Sequence, residues 1–127
     1  MVSTKRTILV VEDDSDTSDL ILTLLSLHGY AMRVANDRTV ALQLLREHEE
    51  PDTMIVDCYM PGQPLEEFVT EARQRFPSLS IVLISSDDGL REIASELKVA
   101  HYLRKPFMPE ALVRLIDGVV QQKYGHR

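Results

Sequence analysis

Apolar positions along the chain follow two periods. Five short runs, Thr7–Val11, Ala31–Ala35, Thr53–Asp57, Ile81–Ser85 and Ala100–Leu103, are rich in aliphatic residues, and several are continuous rather than alternating, as in Ile8-Leu9-Val10-Val11 and Ile81-Val82-Leu83-Ile84. Continuous runs of this length suit strands buried on both faces, as in a parallel sheet. Between the runs the spacing turns helical. In Pro64–Phe76 the apolar residues Leu65, Phe68, Val69, Ala72 and Phe76 form one stripe, and in Pro109–Lys123 the stripe is Leu112, Leu115, Ile116, Val119 and Val120. Each of these two segments opens with a proline suited to the first helical position, and Glu66 complements the helix dipole in the first turn. Leu20, Ile21, Leu24, Leu25 and Leu27 predict a helix ending at Gly29, and Asn36 is the expected cap of the helix carrying Val40, Ala41, Leu44 and Leu45. A short segment near Leu90–Leu97, with Ile93, Ala94 and Leu97 as its stripe, is expected to be the least firmly packed helix. Strand and helix thus alternate five times. That order predicts an α/β fold with a parallel sheet, right-handed crossovers and helices on both faces.

The chain has 127 residues, enough for one domain spanning 1–127, and it contains no repeat, linker or low-complexity tract. Net charge is −6 and no Lys/Arg block exceeds two residues, which argues against direct nucleic-acid binding by this domain. No apolar stretch approaches the ~18 residues of a membrane span, and the N-terminal apolar run is too short for a signal peptide. The one cysteine, Cys58, allows no intrachain disulfide and fits a reducing, cytoplasmic setting. As the neighbour of Asp57 on a strand, Cys58 must face the opposite side of the sheet, where a small buried hydrophobe is the expected role. The histidines at 28, 48, 101 and 126 lack metal-ligand spacing.

In an open α/β sheet, ligands bind outside the carboxyl ends of the strands. Glu12-Asp13-Asp14 follow the first run, Asp57 ends the third, Ser85 and Ser86 end the fourth, and Lys105-Pro106 follow the fifth. The first turn, VEDDSD, has no glycine, so it is neither a dinucleotide fingerprint nor a P-loop. Clustered carboxylates suit a hard cation, and Mg²⁺ typically takes one or two carboxylates together with phosphate oxygens. With a cation bound the local field reverses sign and a phosphoryl group becomes acceptable. Asp57 is then a candidate nucleophile, Lys105 a point charge for phosphoryl oxygens and Ser85 a hydrogen-bond donor to them. Asp14, Asp16 and Asp19 read instead as charges complementing a helix N-terminus.

Four segments in order, ILVVEDD at 8–14, MIVDCYMPG at 54–62, IVLISS at 81–86 and YLRKPF at 102–107, resemble the receiver domains of two-component response regulators. The resemblance covers essentially the whole chain. It implies a flavodoxin-like (βα)5 fold with strand order 2-1-3-4-5. It also implies Asp57 as phosphoacceptor and Mg²⁺ (or Mn²⁺) held by Asp13, Asp57 and the backbone carbonyl of Tyr59 as the third protein ligand, with Glu12 as the second acidic residue, which in the family often acts through water. Lys105 and Ser85 are then phosphate partners, Ser85 and Tyr102 the switch pair, and Lys105-Pro106 a cis peptide bond. The implied phosphodonor is a histidine kinase or phosphotransfer protein. The implied output surface is the face formed by the fourth helix, fifth strand and fifth helix, which serves an unknown partner or a homodimer. On this reading the chain catalyses its own phosphorylation and dephosphorylation and turns over no external substrate. It carries no output domain, and whether it stands alone is left open.

Three positions depart from the commoner pattern. Lys98-Val99-Ala100 stands where many members have Gly-Ala-Asp, so the turn into the fifth strand is expected to differ. Gln63-Pro64 replaces Asp-Gly. Tyr59 is bulky and is expected to shield the phosphoryl group from water. Two other readings compete: an aspartyl-nucleophile phosphatase of the haloacid-dehalogenase type, which would want an acid where Tyr59 stands, and a degenerate receiver that binds partners without phosphate, against which the intact Asp13, Asp57, Ser85 and Lys105 argue.

Overall fold

The computed structural model describes residues 5–125. Strands and helices alternate throughout: β1 (Thr7–Val11), α1 (Ser15–Leu27), β2 (Ala31–Ala35), α2 (Arg38–Glu47), β3 (Thr53–Asp57), α3 (Leu65–Arg75), β4 (Ser80–Ser85), α4 (Leu90–Glu96), β5 (His101–Arg104) and α5 (Pro109–Tyr124). All strand pairings are parallel, in the order β2-β1-β3-β4-β5. This is the fold expected from the alternating pattern. The order places β1 and β3 side by side at the point where the connections change direction, so their carboxyl ends border one cleft.

The period-two geometry of the strands sorts their side chains into two cores. Ile8, Val10, Ile55, Val82 and Ile84 pack with Ile21 and Leu25 of α1 and Leu112, Ile116 and Val119 of α5. Leu9, Val11, Met54, Val56, Ile81 and Leu83 pack with Ala41 and Leu45 of α2, Phe68, Val69 and Ala72 of α3, and Leu90 and Ala94 of α4. Burial on both faces explains why these strands read as unbroken apolar runs. Cys58 joins the second core, as its parity with Asp57 demanded, and burial pushes its thiol up to about 12. No helix among the described residues is long and apolar enough to cross a membrane.

Local signals were legible to within a residue or so. Gly29, at φ +93, follows α1. Pro109 occupies the first turn of α5. Two capping expectations fail. Asp37, not Asn36, caps α2: its backbone is extended and its carboxylate accepts from Val40 N at 2.7 Å. Asn36 stands one residue too early for that reach. Pro64 lies just outside α3, with ψ 144, and only its carbonyl joins the helix, accepting from Phe68 N. The strand limits also move slightly, β4 beginning at Ser80 and β5 covering His101–Arg104.

At Lys98 the turn into β5 takes a backbone conformation that a glycine would also take, rather than the different turn expected there. Lys98 adopts φ +56, a left-handed conformation that glycine takes without strain. Arg73 of α3 donates to the carbonyls of Leu97 and Lys98 at 2.6 and 2.7 Å, fastening this turn to its neighbour. The helix before it, α4, buries only Leu90 and Ala94. His126 lies outside the described residues.

Candidate functional site

The cleft is built from strand ends. β1 delivers Glu12, whose N–H extends the sheet ladder by donating to Ala35 O at 3.0 Å. The Glu12 side chain is 1% exposed, and its Oε2 accepts from Asp14 N at 3.1 Å. Asp14 in turn caps α1, accepting from Thr17 N and Thr17 Oγ1, which is the helix-terminal role expected of it. Asp57 is the last residue of β3 and only 6% exposed. Its Oδ1 accepts from Tyr59 N at 3.0 Å.

Lys105 links the two acids. Its backbone N–H donates to Ser85 O at 2.8 Å, carrying the β4–β5 pairing past the end of β5. The peptide bond to Pro106 is cis. The Lys105 ammonium donates to Glu12 Oε1 at 2.7 Å and to Asp57 Oδ2 at 2.9 Å. Burial would lower the Lys105 pKa, but hydrogen bonds to Glu12 and Asp57 outweigh it and hold the ammonium above its usual value. Burial first, then the hydrogen-bonded neighbour Asp57, pushes Glu12 up to about 7 despite the opposing pull of Lys105. One ammonium therefore serves a buried pair of acids that shares too little positive charge.

Asp13 is exposed beside them, and Glu12, Asp13 and Asp57 offer carboxylate oxygens that all lie within 4.8 Å of one another. Three hard oxygen donors around a surplus of negative charge fit a small divalent cation such as Mg²⁺ or Mn²⁺. Soft ligands are absent, since Cys58 faces the other core.

Ser85 is buried at the end of β4, and its Oγ accepts from Asp87 N at 3.0 Å. Tyr59, 59% exposed, reaches over the rim and donates its hydroxyl to Asp87 Oδ2. That bond lowers the Asp87 pKa and raises the Tyr59 pKa. Tyr102 is not part of the cluster; its side chain is 39% exposed on β5. Beside Lys105 lies a largely apolar recess of about 370 Å³, lined by Thr17, Leu20, Ser86, Lys105, Pro106 and Phe107.

One residue of the site escaped the sequence reading. Arg38 opens α2 but is only 3% exposed, folded inward beneath Asp57. It donates to Asp57 O at 3.2 Å, to Cys58 O at 2.8 Å and to Gln63 O at 2.5 Å. A charged residue in a first helical turn gives no sequence signal of burial, because the same pattern normally describes a solvated side chain.

The comparisons with known proteins agree with this architecture. Residues 8–117 match the model of the response regulator receiver domain, and the chain belongs to that family of two-component systems. Among solved structures it is similar to the signal receiver domain of an HD-domain-containing protein from Pseudomonas fluorescens, with 26% identity and TM-score 0.86 over 98% of this chain and 93% of that one. A response regulator receiver domain from Clostridium thermocellum is 25% identical, with TM-score 0.83 over 93% of this chain and 96% of that one. The chemotaxis response regulator CheY4 of Vibrio cholerae, at 24% identity and TM-score 0.83, covers 91% of this chain and 99% of its own, and shares the fold.

Proposed function

We propose that this receiver domain is a phosphorylation switch in which Asp57 accepts a phosphoryl group from a phosphohistidine of a histidine kinase or phosphotransfer protein, in a Mg²⁺- or Mn²⁺-dependent reaction. The supporting observation is the Glu12–Lys105–Asp57 arrangement: a buried strand-end carboxylate within hydrogen-bond reach of an ammonium and beside two further acids. Asp13, Asp57 and the Tyr59 carbonyl would hold the cation, with Glu12 reaching it through water. A bound cation supplies charge neutralisation for phosphoryl oxygens.

The residues then divide the work. An Asp57 oxygen forms the new O–P bond as the N–P bond of the donor breaks, and the departing imidazole nitrogen takes up a proton. Lys105 compensates charge on the transferred group. Ser85 exchanges its contact with Asp87 N for one with a phosphoryl oxygen. Tyr102 follows it inward and alters the α4–β5–α5 face, biasing an existing equilibrium that an output partner, an output domain or a second copy reads. The apolar recess beside Lys105 gives the donor's side chains flanking its imidazole a seat near the ammonium that bonds Asp57. Hydrolysis by water restores the starting state, so the domain acts on itself and on no external substrate, within the cytoplasm. A phosphatase of the haloacid-dehalogenase type loses support because Tyr59 supplies no carboxyl group two residues after the nucleophile, where that mechanism needs one.

The test follows backbone amide shifts while Mg²⁺ and beryllofluoride are added to the wild type and to Asp57→Asn. Shifts that start at Asp57, spread to Ser85, Tyr102 and α4, and vanish in the variant are expected. A silent wild type would return the chain to the phosphate-independent reading.

A further inference from the structure

Arg38 is a buried cation with no carboxylate partner among the described residues. Its hydrogen bonds run only to the three backbone carbonyls of Asp57, Cys58 and Gln63, and its Nε has no partner. Burial pulls its pKa below the usual value, yet a guanidinium stays protonated in proteins. Asp57, Asp13 and Cys58 are the titratable groups whose fields reach it. Burying such a group is unfavourable unless its donors are used, so its partners define what it is for.

Those partners lie at both ends of one loop. Asp57 and Cys58 open the segment 57–63 and Gln63 closes it, so the planar fork draws the two ends together. Within the hoop lie Gly62, at φ +106, and Tyr59, whose N–H meets Asp57 Oδ1. Among the described residues, this clasp alone ties Gln63's backbone carbonyl to β3.

We infer that Arg38 is a positioning residue for the phosphoacceptor loop: by holding residues 57–63 closed, it keeps the Tyr59 backbone where divalent-cation binding requires it. This rests on the cation-dependent reading of the site given above. Lysine can replace the charge but not the fork, because one ammonium cannot span three carbonyls as a planar guanidinium does.

The experiment compares the wild type with Arg38→Lys and Arg38→Met, using Mg²⁺ alone as the probe and amide shifts as the readout. Hydrogen exchange at the Tyr59, Met60, Gly62 and Gln63 amides is measured in parallel. Arg73→Lys, which loosens a different arginine–carbonyl clasp on the α3 side of the fold, controls for general loss of stability. Both Arg38 variants are expected to bind Mg²⁺ about tenfold more weakly, the loss usual when a group that orients a metal ligand is removed. Their loop amides should exchange faster while the β1 and β4 amides do not, and Arg73→Lys should leave Mg²⁺ affinity alone. Mg²⁺ affinity within twofold of wild type in both Arg38 variants overturns the inference. So does tighter binding in Arg38→Met with none lost in Arg38→Lys, which would make Arg38 merely a repelling charge. A wild type that ignores Mg²⁺ defeats the functional reading and the cation half of the inference together, while the exchange data still decide the loop half.

Discussion

Replacing Lys105 by Met separates the two jobs assigned to the ammonium. Met keeps the aliphatic stem and removes the charge. The carboxylates of Glu12 and Asp57, whose oxygens lie within 4.8 Å, then face each other without compensation. Two unit charges at that separation repel by about 3.5 kcal/mol at an effective dielectric of 20. The protein has an escape, because Glu12 already titrates at about 7. Taking up a proton near pH 7.5 costs well under ~1 kcal/mol, since each pH step above the pKa is worth about 1.4 kcal/mol. That uptake caps the charge repulsion below about 1 kcal/mol, and losing the ammonium's hydrogen bonds to Glu12 and Asp57 brings the net loss to roughly 1–2 kcal/mol, or about 5 °C in Tm for a chain of this size. Cation binding moves the other way. A divalent ion held by these oxygens would feel the ammonium's repulsion; at an assumed separation of roughly 5 Å, removing it would favour binding by about tenfold even with bulk-water screening. The expected outcome is a less stable metal-free protein that Mg²⁺ rescues more strongly than it stabilises the wild type, together with much slower phosphoryl transfer. Thermal unfolding with and without Mg²⁺, and Mg²⁺ titration at one pH, measure both halves. Unchanged or weaker Mg²⁺ affinity in Lys105→Met would refute the reasoning, because it would mean the ammonium does not face the cation.

Three further outcomes follow from the same geometry. Glu12 has its pKa raised from 4.5 to about 7, so the folded state holds this proton longer than the unfolded chain; its contribution to stability is full below 4.5 and is lost as pH rises through about 7. Mg²⁺ must displace that proton, so Mg²⁺ affinity should climb with pH and level off above about 7, and calorimetry in buffers of different ionisation heats should detect proton release only below that plateau; a flat profile contradicts the raised pKa. Tyr59→Ala opens the rim that the Tyr59–Asp87 bond bridges, and should speed loss of phosphate from Asp57 several-fold in a radiolabel or phosphate-release assay, whereas an unchanged rate removes the shielding role. Lys98→Gly relieves a left-handed non-glycine residue and should raise stability by roughly 1 kcal/mol in urea unfolding, with Mg²⁺ affinity unaffected.

The parts of the fold legible in the sequence are those written in side-chain period. Strands buried on both faces advertise themselves as unbroken aliphatic runs, and their order fixes which polar residues can meet at the carboxyl edge. That logic brought Glu12, Asp13, Asp57, Ser85 and Lys105 to one cleft. What escaped depends on backbone angles or on distant contacts. Asn36 and Asp37 are equally good caps by residue type, and only the extended backbone of Asp37, three residues before Val40, decides between them. Pro64 fits either side of a helix start, and its ψ alone excludes it from α3. Arg38 looks solvated until β3 and the loop after it are placed above α2. Tyr59 was marked by its bulk, but its partner Asp87 comes from a different loop, and no local pattern links the two.

The alternation of Asp57 and Cys58 carries a consequence for fidelity of assembly. In the observed register Asp57 pairs with Ile84 on β4, the carboxylate faces the cleft and the thiol lies among Met54, Val56 and Phe68. Sliding β3 by a single residue would exchange them, presenting sulfur to the solvent and forcing an anion into hydrocarbon. The apolar residues of β3 would only trade one hydrocarbon core for the other, so the penalty falls on the misplaced carboxylate. The oil of the two cores thus proofreads which element, oxygen or sulfur, stands at the mouth of the protein.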